Sequence, residues 1–233
     1  MYSFKSRVRY SEVGEDKKLS LNSIINYFQD CSTFQSEMLN NGVERLEELH
    51  RVWVLSSWQI VIERYPKLCE EIEIGTWPYY FKNFAGYRNF IMRDKEGKLI
   101  AYANSLWSFL DTDTGLPTRV PADIEQAYVL EEKLDMKYAS RKVPMPKNGG
   151  MKKPFAVQKH HLDTNHHVNN GQYIQMAREY VPENFPIHQM RAEYKKSALR
   201  GDMIYPVVAL EDERYTVGLC DELGRPYAVV ELS

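Results

Sequence analysis

The chain is 233 residues long, carries 30 Lys and Arg against 32 Asp and Glu for a net charge of −2, and is 43% hydrophobic. Such a chain can bury the core of one large domain or two small ones, and its charge balance excludes a global basic field for nucleic acid. No run nears the ~18 apolar residues of a membrane-spanning helix, and the opening "MYSFKSRVRY" lacks the apolar stretch of a signal peptide.

Three cysteines, Cys31, Cys69 and Cys220, show no C-x-x-C spacing. A reduced setting follows, so a cytoplasmic protein without membrane or nucleic-acid partners is expected. The sixteen Tyr, nine Phe and four Trp favour strands, or a large apolar cavity, over an all-helical design.

In chain order, a weakly alternating start gives way to "LSLNSIINYFQDCSTFQSEMLN", where Leu21, Ile24, Ile25, Phe28, Cys31 and Met38 share one helical face. Asn41-Gly42 is a stop signal. Strand candidates follow at 51–66, 70–81, 87–94 and 99–111, the last two joined by the turn Lys95-Glu96-Gly97-Lys98. Residues 138–153, with two Pro, two Gly and five Lys or Arg, read as a linker. The pattern then restarts: an extended piece at 155–157, a helix over about 169–180, and strands at 188–198, 202–212, 214–222 and 226–232.

The restart predicts a duplicated helix-plus-sheet unit. Sliding the first half by 147 positions sets Asp16 on Asp163, Leu21 on Val168 and Asn22 on Asn169. Lys18 and Ser20 then stand opposite Asn165 and His167, so only the second half carries chemistry.

That chemistry lies in "QKHHLDTNHHVNNGQYIQMA", residues 158–177, which holds four of the six histidines. Neighbouring histidines on an extended chain point to opposite faces, so HH-x4-HH does not converge on one ion and no metal is expected. His160, His161 and His166 read as surface residues, and Asn169 or Asn170 serves equally well as a plain helix cap. Asp163, Asn165 and His167 differ. On an extended segment their alternate positions line one face, just before a helix whose free N–H groups can bind developing negative charge. A carboxylate, an amide, an imidazole and oxyanion donors are the equipment for acyl hydrolysis.

"LDTNHHVNNGQYIQMA" resembles the D-x-N-x-H-V-N-N-x-x-Y-I signature of the acyl–acyl carrier protein thioesterases, which end fatty-acid synthesis in plants and bacteria. "RVWVLSSWQIVIERYPKLCEEIEIGTWP" and "AEYKKSALRGD" are similar to further segments of that family, so the likeness spans most of the chain. The resemblance implies an α+β fold of two tandem hotdogs, each a long helix wrapped by an antiparallel sheet. Residues 1–137 would bind the acyl chain, 138–153 would link, and 154–233 would carry catalysis.

The resemblance also implies that Asp163, Asn165 and His167 are catalytic, with Asn169 and Asn170 at the oxyanion-binding helix start and no cofactor. Plant members carry a glutamate and then a cysteine where this chain has Ser197-Ala198. A Cys-His-Asn mechanism is therefore unsupported, and any water-positioning role passes to Ser197 or to another group. Cys220, in a strand candidate, reads as core.

The implied partner is an acidic acyl carrier protein bearing a phosphopantetheine-linked chain. Arg141, Lys142, Lys147, Lys152, Lys153, Lys195, Lys196 and Arg200 are the candidate docking residues, and the chain is a candidate homodimer. Two alternatives stay open: an acyl-CoA thioesterase of the same fold, and a non-catalytic acyl-binding hotdog protein.

Overall fold

The computed structural model describes all 233 residues, which separate into two compact units: residues 1–56 with 60–138, and residues 57–59 with 139–233. No helix is long and apolar enough to cross a membrane.

The first unit opens with strand β1 (Tyr2–Arg7) and a single 3-10 turn at Tyr10–Glu12. Helix α1 (Leu21–Met38) starts at Ser20, whose hydroxyl accepts the Ser23 N–H at 3.1 Å. Leu21, Ile24, Ile25, Phe28 and Cys31 form its buried stripe, whereas Met38 is exposed. Met38 falls in the last turn, where Asn40 takes a left-handed φ of 54° and the Asn41 N–H closes on the Ser36 carbonyl at 2.9 Å. This left-handed cap ends the helix before the stripe can be extended.

A short α2 (Val43–Glu48) precedes four long strands: β2 (Arg51–Ile62), β3 (Glu71–Lys82), β4 (Ala85–Asp94) and β5 (Leu99–Asp111). The sheet order is β1-β3-β4-β5-β2, with antiparallel pairing from β1 through β5. Helix α1 packs across β3 and β1, and Phe28 meets Phe90 of β4 at 5.3 Å between ring centres. A short α3 (Ala122–Ala127) follows.

The second unit contains β6 (Gly150–Met151), β7 (Phe155–Ala156), α4 (Asn170–Arg178), β8 (Gln189–Tyr194), β9 (Met203–Glu211), β10 (Arg214–Cys220) and β11 (Pro226–Leu232). Its antiparallel order is β8-β11-β10-β9, with β6 and β7 both paired to β9. Helix α4 lies on β10 and β11 and buries Tyr173, Ile174, Met176 and Ala177. The fold is thus α+β, a helix set on an antiparallel sheet in each unit.

Residues 139–153, a linker by composition, group with this second unit. Arg191 donates to the carbonyls of Ser140 and Lys142 at 2.8 and 2.7 Å, and the buried Val143 donates its N–H to Glu193. Composition counts the charged side chains but does not register these backbone groups.

The duplication exists, but its register is 149 positions rather than 147. Hydrogen bonding fixes it. The bridge Val13–Leu19 repeats as Leu162–Val168, Gly14 N–H to Lys18 O as Asp163 N–H to His167 O, and the left-handed Lys17 as His166, each with φ 60°. The caps Ser20 and Asn169 correspond as well. Gly14, Asp16 and Lys18 therefore stand opposite Asp163, Asn165 and His167. Matching identical letters gave a register two residues short because the repeat preserves backbone bonds rather than side chains. The first unit retains the turn with Gly14 in place of the Asp163 carboxylate and Lys18 in place of the His167 imidazole.

Candidate active site

Residues 162–168 form a tight reversal, not an extended strand. Asp163 N–H donates to His167 O at 2.8 Å, His166 N–H donates to Asp163 O at 3.1 Å, and His166 occupies the left-handed region. The expected alternation of Asp163, Asn165 and His167 along one strand face is therefore overturned. The turn instead sets the Asp163 and His167 backbones opposite each other and puts Asn165 at the tip. The sequence signal for this lay in the D-x-N run, a turn composition.

The Asp163 carboxylate is half-buried, and its Oδ1 accepts the Asn165 N–H at 2.8 Å and the His167 N–H at 3.3 Å. Asn165 and His167 are exposed, and the three side chains do not hydrogen-bond one another. The site is thus an open, water-facing turn carrying a carboxylate, an amide and an imidazole.

Its far strand is braced by a second loop. Val168 N–H donates to Ala198 O at 3.0 Å, and His167 bridges Leu199. Ala198 in turn donates its N–H to the Tyr173 hydroxyl at 2.8 Å, and burial pushes that phenol's pKa up. Asp202 accepts the Leu199 N–H at 2.9 Å and the Tyr227 hydroxyl at 3.3 Å. Tyr173, Asp202 and Tyr227 were missed from the sequence, although Tyr173 stands in the V-N-N-x-x-Y-I motif itself. The exposed Ser197 begins this bracing loop, adjoining the turn through Ala198.

The helix start has a structural occupant. Asn169 Oδ1 accepts the Gly171 N–H at 2.8 Å, so Asn169 caps α4, and Asn170 offers its carbonyl to the Tyr194 hydroxyl at 3.1 Å. Capping takes up one of the N–H groups that could otherwise face a ligand.

Among the other histidines, His161 Nδ1 accepts the Gln158 N–H at 3.0 Å. Burial, with the charge of His160 second, holds its pKa below the usual range. The His160 and His161 rings meet edge-on at 4.2 Å, and no three His, Cys, Asp or Glu side chains are grouped to hold a metal. The Cys220 thiol is buried and its pKa pushed up, chiefly by burial and then by Asp221, which suits core rather than nucleophile.

The basic residues divide into two sets. Lys196 Nζ pairs with Asp221 at 2.5 Å and lies 4.3 Å from the centre of the Tyr227 ring, while Lys195 pairs with Glu193 at 2.8 Å. Both are committed within the unit. Arg141, Lys142, Lys147, Lys152, Lys153 and Arg200 are exposed.

Two helix-on-sheet units in tandem, with a polar turn seated at the helix start of the second, define a double-hotdog protein. The sequence model of the acyl-ACP thioesterase N-terminal domain matches residues 1–128, and that of the C-terminal domain matches residues 145–221. The chain belongs to the acyl-ACP thioesterase family.

A chloroplastic acyl-acyl carrier protein hydrolase of Cuphea viscosissima, FATB3, is 25% identical over 89% of this chain and 54% of its own length. The chain spans about half the length of the curated relatives it first matches. A crystal structure of an acyl-ACP thioesterase from Bacteroides thetaiotaomicron superposes with a TM-score of 0.90 at 21% identity, covering 99% of this chain and 96% of that one. The 12:0-ACP thioesterase of Umbellularia californica gives 0.87 at 21%, covering 100% and 96%. At such identities the likeness establishes the shared fold.

Proposed function

We propose that the chain hydrolyses the thioester of an acyl–acyl carrier protein and releases the free fatty acid. The observation that carries this reading is the coincidence of the family's C-terminal domain with the turn bearing Asp163, Asn165 and His167. The half-buried Asp163 carboxylate accepts two backbone N–H bonds, which fix its position at the turn where a base or nucleophile is needed.

In the water route, His167 takes a proton from water while the water oxygen adds to the thioester carbonyl. The carbon–sulfur bond then breaks, and the thiolate leaves and takes up a proton. Asp163 fixes the His167 backbone through its N–H, Asn165 holds water or thioester in line, and Ser197 offers a hydroxyl from the adjoining loop. In the covalent route the Asp163 carboxylate adds to the carbonyl, the carbon–sulfur bond breaks as the thiolate leaves and takes up a proton, and water hydrolyses the resulting anhydride to the free acid and the Asp163 carboxylate. The start of α4 polarises the carbonyl through the main-chain N–H of Asn170, since those of Asn169, Gly171 and Gln172 donate to His161 O, Asn169 Oδ1 and Asn169 O.

This reading takes the first unit as the acyl-binding one. Its partner is acyl carrier protein, docked on Arg141, Lys142, Lys152, Lys153 and Arg200, whereas the ion-paired Lys195 and Lys196 contribute less. A homodimer in the cytoplasm completes the proposal.

The test is hydrolysis of a panel of acyl-carrier thioesters of varied length and unsaturation, set beside matched acyl-CoA thioesters. Faster turnover of the carrier-bound series supports the reading. Preference for CoA thioesters moves the assignment to an acyl-CoA thioesterase, and ligand retention without turnover moves it to an acyl-binding protein.

A further inference from the structure

The first unit contains a buried arginine with no acid beside it. Arg88, on β4, is 8% exposed and faces α1. Its Nη1 donates to Gln35 Oε1 in a short hydrogen bond and to Thr76 Oγ1 at 3.2 Å, and its guanidinium lies 5.5 Å from the centre of the Tyr128 ring. These partners are neutral. Burial lowers its pKa to about 10, so the guanidinium is still charged at neutral pH. A buried cation without a counter-ion is strongly unfavourable unless an anion joins it.

The rest of the guanidinium remains available. Nε and Nη2 have no acceptor in the chain. The surroundings supply the remainder of a ligand's chemistry. On the same face of β4, two residues away, Gly86 leaves room for the rings of Trp53 and Phe81. Both rings are only partly buried, and they pack with Leu39 and Leu49 on the apolar cluster that contains Tyr128. Partly buried apolar rings therefore share a strand face with an unneutralised guanidinium fork, a pairing that suits an aliphatic chain ending in a carboxylate.

We infer that the first unit binds the carboxylate end of an aliphatic chain, with Arg88 as the anion-binding residue and Trp53, Phe81 and Tyr128 along the chain's methylenes. The carboxylate has two sources. It is either the head group of a free fatty acid, or the distal group of a dicarboxylic acyl chain whose other end is the thioester. The second source rests on the thioesterase reading, whereas binding itself does not.

Calorimetric titration of the full chain with octanoate, decanoate and their methyl esters tests the site without any turnover. The acids should bind at least ~10-fold more tightly than the esters, as expected for a charge-assisted bidentate contact. Arg88→Met should erase that difference, and Arg88→Lys should retain part of it. Thermal melts keep the result interpretable, because an apolar replacement of a buried ion of similar volume commonly folds well.

Equal binding of acid and ester, no binding of either, or an undiminished preference in a folded Arg88→Met would overturn the inference. Hydrolysis of carrier-bound chains of equal length, ending in carboxylate or methyl, then separates the sources. A preference of ~10-fold or more for the carboxylate-ended chain, lost in Arg88→Met, assigns the substrate's distal group. A preference for methyl-ended chains, with Arg88-dependent inhibition by decanoate, assigns the free acid.

Discussion

Replacing Asp163 in two ways separates chemistry from scaffolding at the candidate site. Its Oδ1 accepts two backbone N–H groups, at 2.8 and 3.3 Å. Asp163→Asn keeps an oxygen acceptor at the same place and removes only the charge. Its stability should therefore stay within ~0.5 kcal/mol of the wild type. Asp163→Ala removes both bonds. At ~0.5–1.5 kcal/mol per hydrogen bond, discounted for the half-exposed setting, the loss should be ~1–2 kcal/mol, comparable to losing a helix cap.

For a chain of this size that corresponds to a fall in Tm of roughly 2–8 °C. Activity should follow a different order. If the carboxylate is base or nucleophile, both variants should lose ~10²–10⁴-fold in kcat on an acyl-carrier thioester. The assays are thermal melts by circular dichroism and release of carrier thiol. The refuting result is an Asp163→Asn enzyme with near-normal kcat beside an Asp163→Ala enzyme that is both unstable and inactive. Asp163 would then be a turn residue and nothing more.

Other outcomes follow from the same geometry. Tyr173→Phe removes the acceptor of the buried Ala198 N–H, so urea unfolding should show a loss of ~1–3 kcal/mol. Asp221 is held below the usual carboxylate range, first by Lys196 and then by Arg225 and backbone N–H groups, against the opposing effect of burial. The stability it contributes is therefore present above its unfolded pKa of ~3.9 and lost as pH falls through the lower folded value; an acid titration of Asp221→Asn should show a shallower loss. Reversing Arg141, Lys142, Lys152 and Lys153 to Glu together should raise KM for carrier-bound substrate at least ~10-fold while leaving acyl-CoA hydrolysis nearly unchanged. Equal loss on both substrates would argue against docking there.

Much of the helix-and-sheet order was legible because its signals are local. The stripe from Leu21 to Cys31 recurs at helical spacing, Ser20 and Asn169 are strong caps, and Gly97 and Gly224 sit at left-handed turn positions with φ 79° and 74°. The D-x-N-x-H pattern marked the candidate site by residue type, and sequence alone determined that a carboxylate, an amide and an imidazole share five residues there. It did not determine how they meet. Period-two alternation describes an extended strand, but the left-handed His166 folds the segment back on itself, and a backbone reversal leaves no periodic trace.

Only the tertiary structure decided which partners complete the turn. Tyr173 reaches Ala198 across 25 positions of chain, and Lys196 reaches Asp221 across another 25. It also decided that Arg88 stands buried without an acid. In sequence Arg88 is an ordinary strand arginine, and its isolation depends on Gln35, Thr76 and Tyr128 arriving from three other elements. Local propensity is carried by neighbours along the chain, whereas electrostatic environment is set by whatever the fold brings within a few ångströms.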